Sequence, residues 1–352
     1  MKRIWLLALL CMIPFAALAA ASPTTGCEIP QTPFTPVLVT VSQSLGKEKV
    51  GNHQLEAPGL GKARVWGLQH ADVLYEGLAL QKKGKTVSTR FTALVYDDLV
   101  KGQAVSMGPV RSLREEQLLL RGEWQGTLAY CGGLDRLSDR AEELKQAEDQ
   151  GQCLNAHRTE AKPYFQRLKH GKAPDNLSLD VTRVYAQLSE ECRSVHPGFS
   201  FADSFAYEDK PEQKNVFLQW GGKYNSFFTY DKTMGLYTRY VGTKKQNAAS
   251  TVYLSKQDKE ADEKKNLYTL TFANVIVQWT DYPETGGILP TPELVGQGEA
   301  DYYLQGRHIH GSWYRADPHS PTVYLDDQGR PIQLTRGKTY IAHFPLFGQV
   351  DE

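Results

Sequence analysis

Charged residues at the ends of apolar runs give the first hint of chemistry. Asp72 and Glu76 flank Val73-Leu74-Tyr75, Arg90 lies in the next apolar-alternating run, and Arg111 and Arg114 stand before a leucine-rich stretch. Residues four apart on a strand point to one face, so Asp72 and Glu76 project together. Arg111 and Arg114 bracket an expected helix start, where free backbone N–H groups favour an anion. With Arg64 and Asn176 they form a candidate ligand-binding set suited to an anionic or sugar-like ligand. The same residue types also build structural ion-pair networks, because guanidinium and carboxylate pair bidentately. Asp72 and Glu76 make a poor glycosidase pair. Such enzymes hold two carboxyls about 5–10 Å apart, whereas four residues of strand span roughly 13 Å. No catalytic residue is assigned.

Other reactive side chains carry weaker signals. His308 and His310 alternate on an expected strand and share a face, but no third ligand follows at a metal-site spacing, so no metal and no cofactor are expected. Gly-x-Ser-x-Gly, P-loop and His-Glu-x-x-His patterns are absent. Cys131, before Gly132-Gly133, is where a catalytic thiol would be looked for, although a disulfide is the preferred reading there. Of the three pairings open to Cys27, Cys131, Cys153 and Cys192, Cys131–Cys153 is nearest in sequence. Cys192 reads instead as a buried thiol on a helix.

These residues need elements to hold them. Strands are expected over 36–41, 72–80, 89–96 and 126–131. Ser112 with Glu115 forms a capping box ahead of Leu118-Leu119-Leu120. Further helices are expected over 138–148, 160–170 and 179–193, the last with Val181, Val184, Tyr185 and Leu188 on one face. Strands interleaved with helices imply a sheet covered by helices. Beyond His196-Pro197-Gly198 the pattern turns to short strands and turns, ending in a meander from 300 to 344. The fold class is therefore α+β, with an N-terminal α/β domain over 30–200 and a β-rich C-terminal domain over 205–350. The charge-rich stretch 244–266 reads as an exposed loop or hairpin tip.

The start of the chain reads as an export signal. Lys2-Arg3 precede an uncharged apolar run from Ile4 to Leu18, and small-x-small sites end at Ala19 and Ala21. The run is about 15 residues, short of the roughly 20 that span a bilayer. Residues 1–21 are thus expected to be removed, leaving a protein free in the periplasm without a transmembrane segment. A lipid anchor at Cys27 is the lesser alternative, since Thr24 stands where a lipobox has Leu. Formal net charge is zero, with 40 basic and 40 acidic residues, so nothing points to nucleic acid.

Several segments together resemble the YerB-like family of bacterial envelope proteins, many of them lipoproteins, whose function is unknown. They are ADVLYE (71–76), TRF (89–91), GPVRS (108–112), Cys131-Gly132-Gly133 and APDNL (173–177). In the second half they are NVIVQ (274–278), GQGEADYYLQGRHIHGSW (296–313), SPT (320–322) and GKTYI (337–341). Asp175 departs from the family pattern, which has His before Asn176. The resemblance implies an envelope protein and no particular activity. The leading expectation is a non-enzymatic ligand-binding or scaffold protein whose charged cleft faces the second domain, with an unknown envelope ligand or protein as partner. An envelope hydrolase acting on cell-wall glycan or peptide is the alternative.

Overall fold

A computed structural model describes residues 19–43, 45–50, 53–58, 65–82, 85–133, 140–169, 172–188, 192–221, 224–242, 247–249, 251–253, 267–283 and 289–351. The expected signal segment up to residue 18, Arg64 and most of the 244–266 stretch lie outside these residues.

The central feature is a ten-stranded mixed sheet. Its strands are β1 (Val37–Ser42), β2 (Val73–Lys82), β3 (Lys85–Val95), β4 (Thr127–Tyr130), β5 (Cys153–Asn155), β6 (Asn274–Thr280), β7 (Gly296–Leu304), β8 (Arg307–Arg315), β9 (Val323–Leu325) and β10 (Thr339–Pro345). The order across the sheet is β5-β4-β1-β3-β2-β10-β6-β7-β8-β9. β5, β4 and β1 run parallel, as do β2, β10 and β6. Strands from both sides of residue 200 therefore share one sheet, joined where β10 pairs with β2.

Burial on both faces explains why these strands read as continuous apolar runs. In β1, Val37, Val39 and Val41 enter one core while Leu38 enters the other. In β6, Val275 and Val277 face the first core and Ile276 the second. Each such side chain contributes about 1.5–3 kcal/mol on full burial.

The first face is covered by a second sheet, ordered Asn247–Ala249, Leu236–Gly242, Ser226–Asp231, Asn215–Gln219 and Gln349–Asp351. Its Val216, Leu218, Phe228 and Tyr237 pack with Leu74, Leu78 and Phe91. Glu76 and Arg239 cross between the two sheets, with no exposed side-chain surface on either and 2.8 Å between them. Glu76 also accepts hydrogen bonds from Tyr340 Oη (2.6 Å) and Thr89 Oγ1 (2.7 Å). The Arg239 guanidinium lies 5.1 Å from the Phe91 ring centroid. The second face receives α1 (Glu115–Trp124) and α2 (Ala141–Asp149) through Leu118, Leu120, Trp124, Leu144 and Ala147. Arg315, on β8, pairs with Glu123 of α1 at 3.1 Å and donates to the carbonyls of Leu119 and Pro318. That anchors the SPT segment to the helix.

The fold is thus predominantly β, consistent with an α+β class whose C-terminal half is β-rich, and the expected helix bounds change. α1 begins at Glu115, not Ser112, and its entry is closed by Arg114 N–H donating to Gln117 Oε1 at 2.9 Å. The expected helix over 160–170 is one 3₁₀ turn, Lys162–Tyr164, followed by the strand Phe165–Arg167. The helix expected over 179–193 shrinks to Val181–Tyr185, because Leu177–Asp180 is a strand between 165–167 and 106–107. No helix among the described residues is long and apolar enough to cross a membrane.

Residues 22–26 are built into the fold. Ser22, Thr24 and Thr25 are buried, and their hydroxyls donate to both oxygens of Asp97. Arg336 donates to the Gly26 carbonyl and Gly337 N–H to that of Thr25.

Candidate functional site

The carboxyl ends of β1, β4 and β5 lie along one edge of the sheet. β1 and β4 pair as far as Val39 and Ala129 and then separate. The segment 110–113 enters the gap. Arg111 N–H donates to the Thr40 carbonyl on β1, while the Arg111 carbonyl accepts from Cys131 N–H beyond β4. Leu113 N–H then donates to the Gly132 carbonyl. A gap at the carboxyl ends of parallel strands is where open α/β sheets place their ligands. Here the GPVRS segment inserts an arginine into it.

Cys131 follows β4 directly, and His157 comes two residues after β5. Their Sγ and Nε2 atoms are 3.5 Å apart. One buried side chain ties the two strand ends: Asn155 Oδ1 accepts from Gly132 N–H (3.1 Å) and His157 N–H (3.2 Å). Gly132 is required twice over. Its φ is 71°, and a Cβ there would lie 2.8 Å from the His157 ring. Arg167 lies near enough for its charge to favour the thiolate. It also donates through Nη1 to Asn176 Oδ1 at 3.0 Å, and Asn176 Nδ2 donates to the Leu168 carbonyl. Arg111 pairs with Asp175 at 3.0 Å, both partly exposed. Burial pushes the Cys131 thiol above its ordinary range, and Arg167 and Arg111 pull it part of the way back.

The sequence-derived set divides around this edge. Arg111 and Asn176 belong to it. Arg90 and Arg114 lie just behind, both turned to the Ser112 segment: Arg90 Nη1 donates to the Ser112 carbonyl (2.6 Å) and Arg114 Nη1 to Ser112 Oγ (3.1 Å). Asp72 and Glu76 are elsewhere and fully buried. Asp72 Oδ2 accepts from Tyr96 N–H (2.7 Å) and Asp97 N–H (3.0 Å), closing the turn after β3. Glu76 is spent on Arg239. Asp72 precedes the strand and only Glu76 faces the second sheet, so the two carboxylates are not together and neither belongs to the site. Asn155, His157 and Arg167 were not found from sequence. Their signal is a Cys and a His just past two strands that turn out to be parallel neighbours.

The Cys131–Cys153 disulfide is also corrected. Cys153 lies opposite Leu128 in the β4–β5 ladder, and Cys131 is three residues further on. That offset is about 10 Å, beyond the roughly 7 Å Cα limit for a bridge. All four described cysteines are free. Burial pushes the Cys153 thiol up to about 12, which leaves it inert. Cys192 is buried, as expected. His308 and His310 do share a face, and both meet one atom, Asp301 Oδ1, at 2.8 and 2.9 Å.

Comparison with known proteins fits this architecture. A crystal structure of the YerB protein from Bacillus subtilis aligns with a TM-score of 0.65 and 20% identity, covering 95% of this chain and 100% of that one. This likeness carries the fold. None of the curated proteins matches the chain. The family model for the N-terminal domain of a protein of unknown function, DUF3048, matches residues 60–196, and that for its C-terminal domain matches residues 216–341. With both halves matched in order, the chain belongs to the DUF3048 family, whose members include proteins like YerB.

Proposed function

We propose that this is an exported envelope protein that binds an anionic ligand, a carboxylate or phosphate, at the Cys131 edge. The observation that carries the reading is the insertion of Arg111, bonded through its backbone to Thr40 and Cys131, into the gap where the parallel strands β1 and β4 separate. Arg111 is held by one partly exposed pair with Asp175, worth under about 1 kcal/mol. An incoming anion can therefore displace that carboxylate at little cost. Titration calorimetry with inorganic phosphate and with N-acetyl-alanyl-alanine tests this. Arg111→Ala and Arg167→Ala are expected to weaken binding about tenfold each, by losing charge-assisted hydrogen bonds. Equal affinity in the wild type and both variants overturns the reading.

Export is part of the same proposal, and the packing of residues 22–26 supports processing at Ala19 or Ala21 over lipidation at Cys27. Cleavage before Cys27 removes the three hydroxyls that satisfy the buried Asp97 carboxylate. Unsatisfied buried groups of this kind cost about 1–3 kcal/mol, and more when charged. Intact mass of the exported chain is expected to show Ala20 or Ser22 as its first residue. A diacylglyceryl group on Cys27 overturns this.

A further inference from the structure

We propose that Cys131 and His157 act as nucleophile and general base in acyl transfer, on a peptide or ester whose neighbouring carboxylate rests on Arg111. The inference deepens the binding reading above and rests on it.

Geometry argues for a built pair. The two side chains project from adjacent parallel strand ends, and Asn155 fixes both backbones by bonding to each. Gly132 and Gly133, both with positive φ, follow Cys131, and the Gly132 carbonyl accepts from Leu113 N–H. Rigid elements hold a reacting pair better than a mobile loop does. The 3.5 Å separation is an ordinary hydrogen-bond distance for a sulfur–nitrogen pair. The thiol is engaged in no disulfide, and Cys153 lies at the other end of the β4–β5 ladder. His157 is exposed, so its ring is reachable by substrate.

Chemistry selects the class. A thiol beside an imidazole attacks carbonyl carbon and offers no route to a glycosidic bond, which needs a carboxyl pair. Cys131 rests as a neutral thiol because burial disfavours the thiolate. Its proton must therefore leave during attack, and His157 Nε2 is placed to take it. The S–C bond forms as the carbonyl π bond opens, and the cationic side chain of Arg167, whose charge acts on the thiol, stabilises the developing oxyanion. Collapse breaks the C–O or C–N bond, and His157 returns the proton to the leaving alcohol or amine. Water or a second amine then attacks the thioester, with His157 again the base, and restores the thiol. No oxidant or reductant enters the balance.

The test uses the whole exported chain and p-nitrophenyl acetate, followed by intact mass and p-nitrophenol release. The wild type is expected to gain one acetyl group, on Cys131, with a burst of one p-nitrophenol per chain. Cys131→Ala abolishes both. His157→Gln slows acylation about 100-fold; being exposed, it leaves the fold intact. Acetyl groups spread over lysines at the same rate in Cys131→Ala overturn the proposal. So does a Cys131 acylation rate indifferent to His157→Gln. Retained phosphate binding without acylation defeats acyl transfer alone, whereas loss of phosphate binding in the wild type defeats the binding reading beneath it.

Discussion

Two groups of charged side chains lie on the central sheet, and they are opposite in kind. Around Glu76, Arg239, Tyr340 and Thr89 every contact is internal, and neither ion has exposed surface. Around Arg111, Arg167, Cys131 and His157 the groups are partly exposed, and Arg111 and Asp175 retain 24% and 40% of their side-chain surface. In the first, removing one partner strands a charge away from water. In the second, solvent or a ligand can substitute. Charge density in sequence does not separate these cases. What separates them is whether the strand carrying the charge is covered on both faces or ends at a gap.

Breaking the closed cluster should give the largest effect. Glu76→Gln leaves Arg239 buried without its counter-ion, and a loss of about 3–5 kcal/mol is expected in urea denaturation. Survival of the variant with a loss below 1 kcal/mol would erase the contrast. Acid should act next, through His196, which stacks on Trp124 at 3.8 Å and accepts the Gly198 N–H on Nδ1. Burial pushes its imidazole down to about 4. The unfolded chain then takes up the proton first, so this contribution is complete above about pH 6.5 and is lost as pH falls toward 4. About 3 kcal/mol is at stake, and His196→Gln should flatten that part of the stability profile.

On the open side the effects shrink. Asn155→Ala removes the acceptor shared by Gly132 and His157 and should cost about 1–2 kcal/mol. It should also slow reaction of Cys131 with iodoacetamide, which a purely structural loss elsewhere would not do. Asp175→Asn should change stability by less than about 1 kcal/mol while tightening phosphate binding, because it frees the Arg111 guanidinium. Asp72→Asn is smallest at low pH. Burial, then the nearby Asp97, raise the Asp72 carboxyl well above its ordinary range. Its stabilising share is present in acid and lost as pH rises through the carboxylate range, so the variant should gain on the wild type toward neutral pH. Stability of both chains at pH 4 and pH 7 decides it.

Some of this was legible in the sequence. The strands around Val37–Ser42, Val73–Lys82 and Lys85–Val95 follow from apolar runs bounded by polar residues. Arg111 and Asn176 were found because both sit in short motifs that interrupt such runs. The stretches 160–170 and 179–193 hold only short helical segments, Lys162–Tyr164 and Val181–Tyr185, among the described residues. Periodicity at Val181, Val184 and Tyr185 is real, but backbone pairing of 177–180 with 165–167 and 106–107 takes the start of that stretch. His157 and Arg167 were illegible for a different reason. They reach Cys131 only through strand order, and strand order depends on pairings between residues far apart in the chain.

One feature of the sheet sets a timetable. β10, residues 339–345, lies at its middle, clasped between β2 and β6. A chain made from its N terminus presents β2 more than two hundred residues before that partner arrives. Until then, one flank of β2 is an open row of peptide groups of the kind that invites foreign strands. Pairings so distant in sequence also close slowly. The nascent chain therefore has most need of a holding chaperone before its last segment emerges, and a truncation shortly before residue 339 is the form most prone to aggregate.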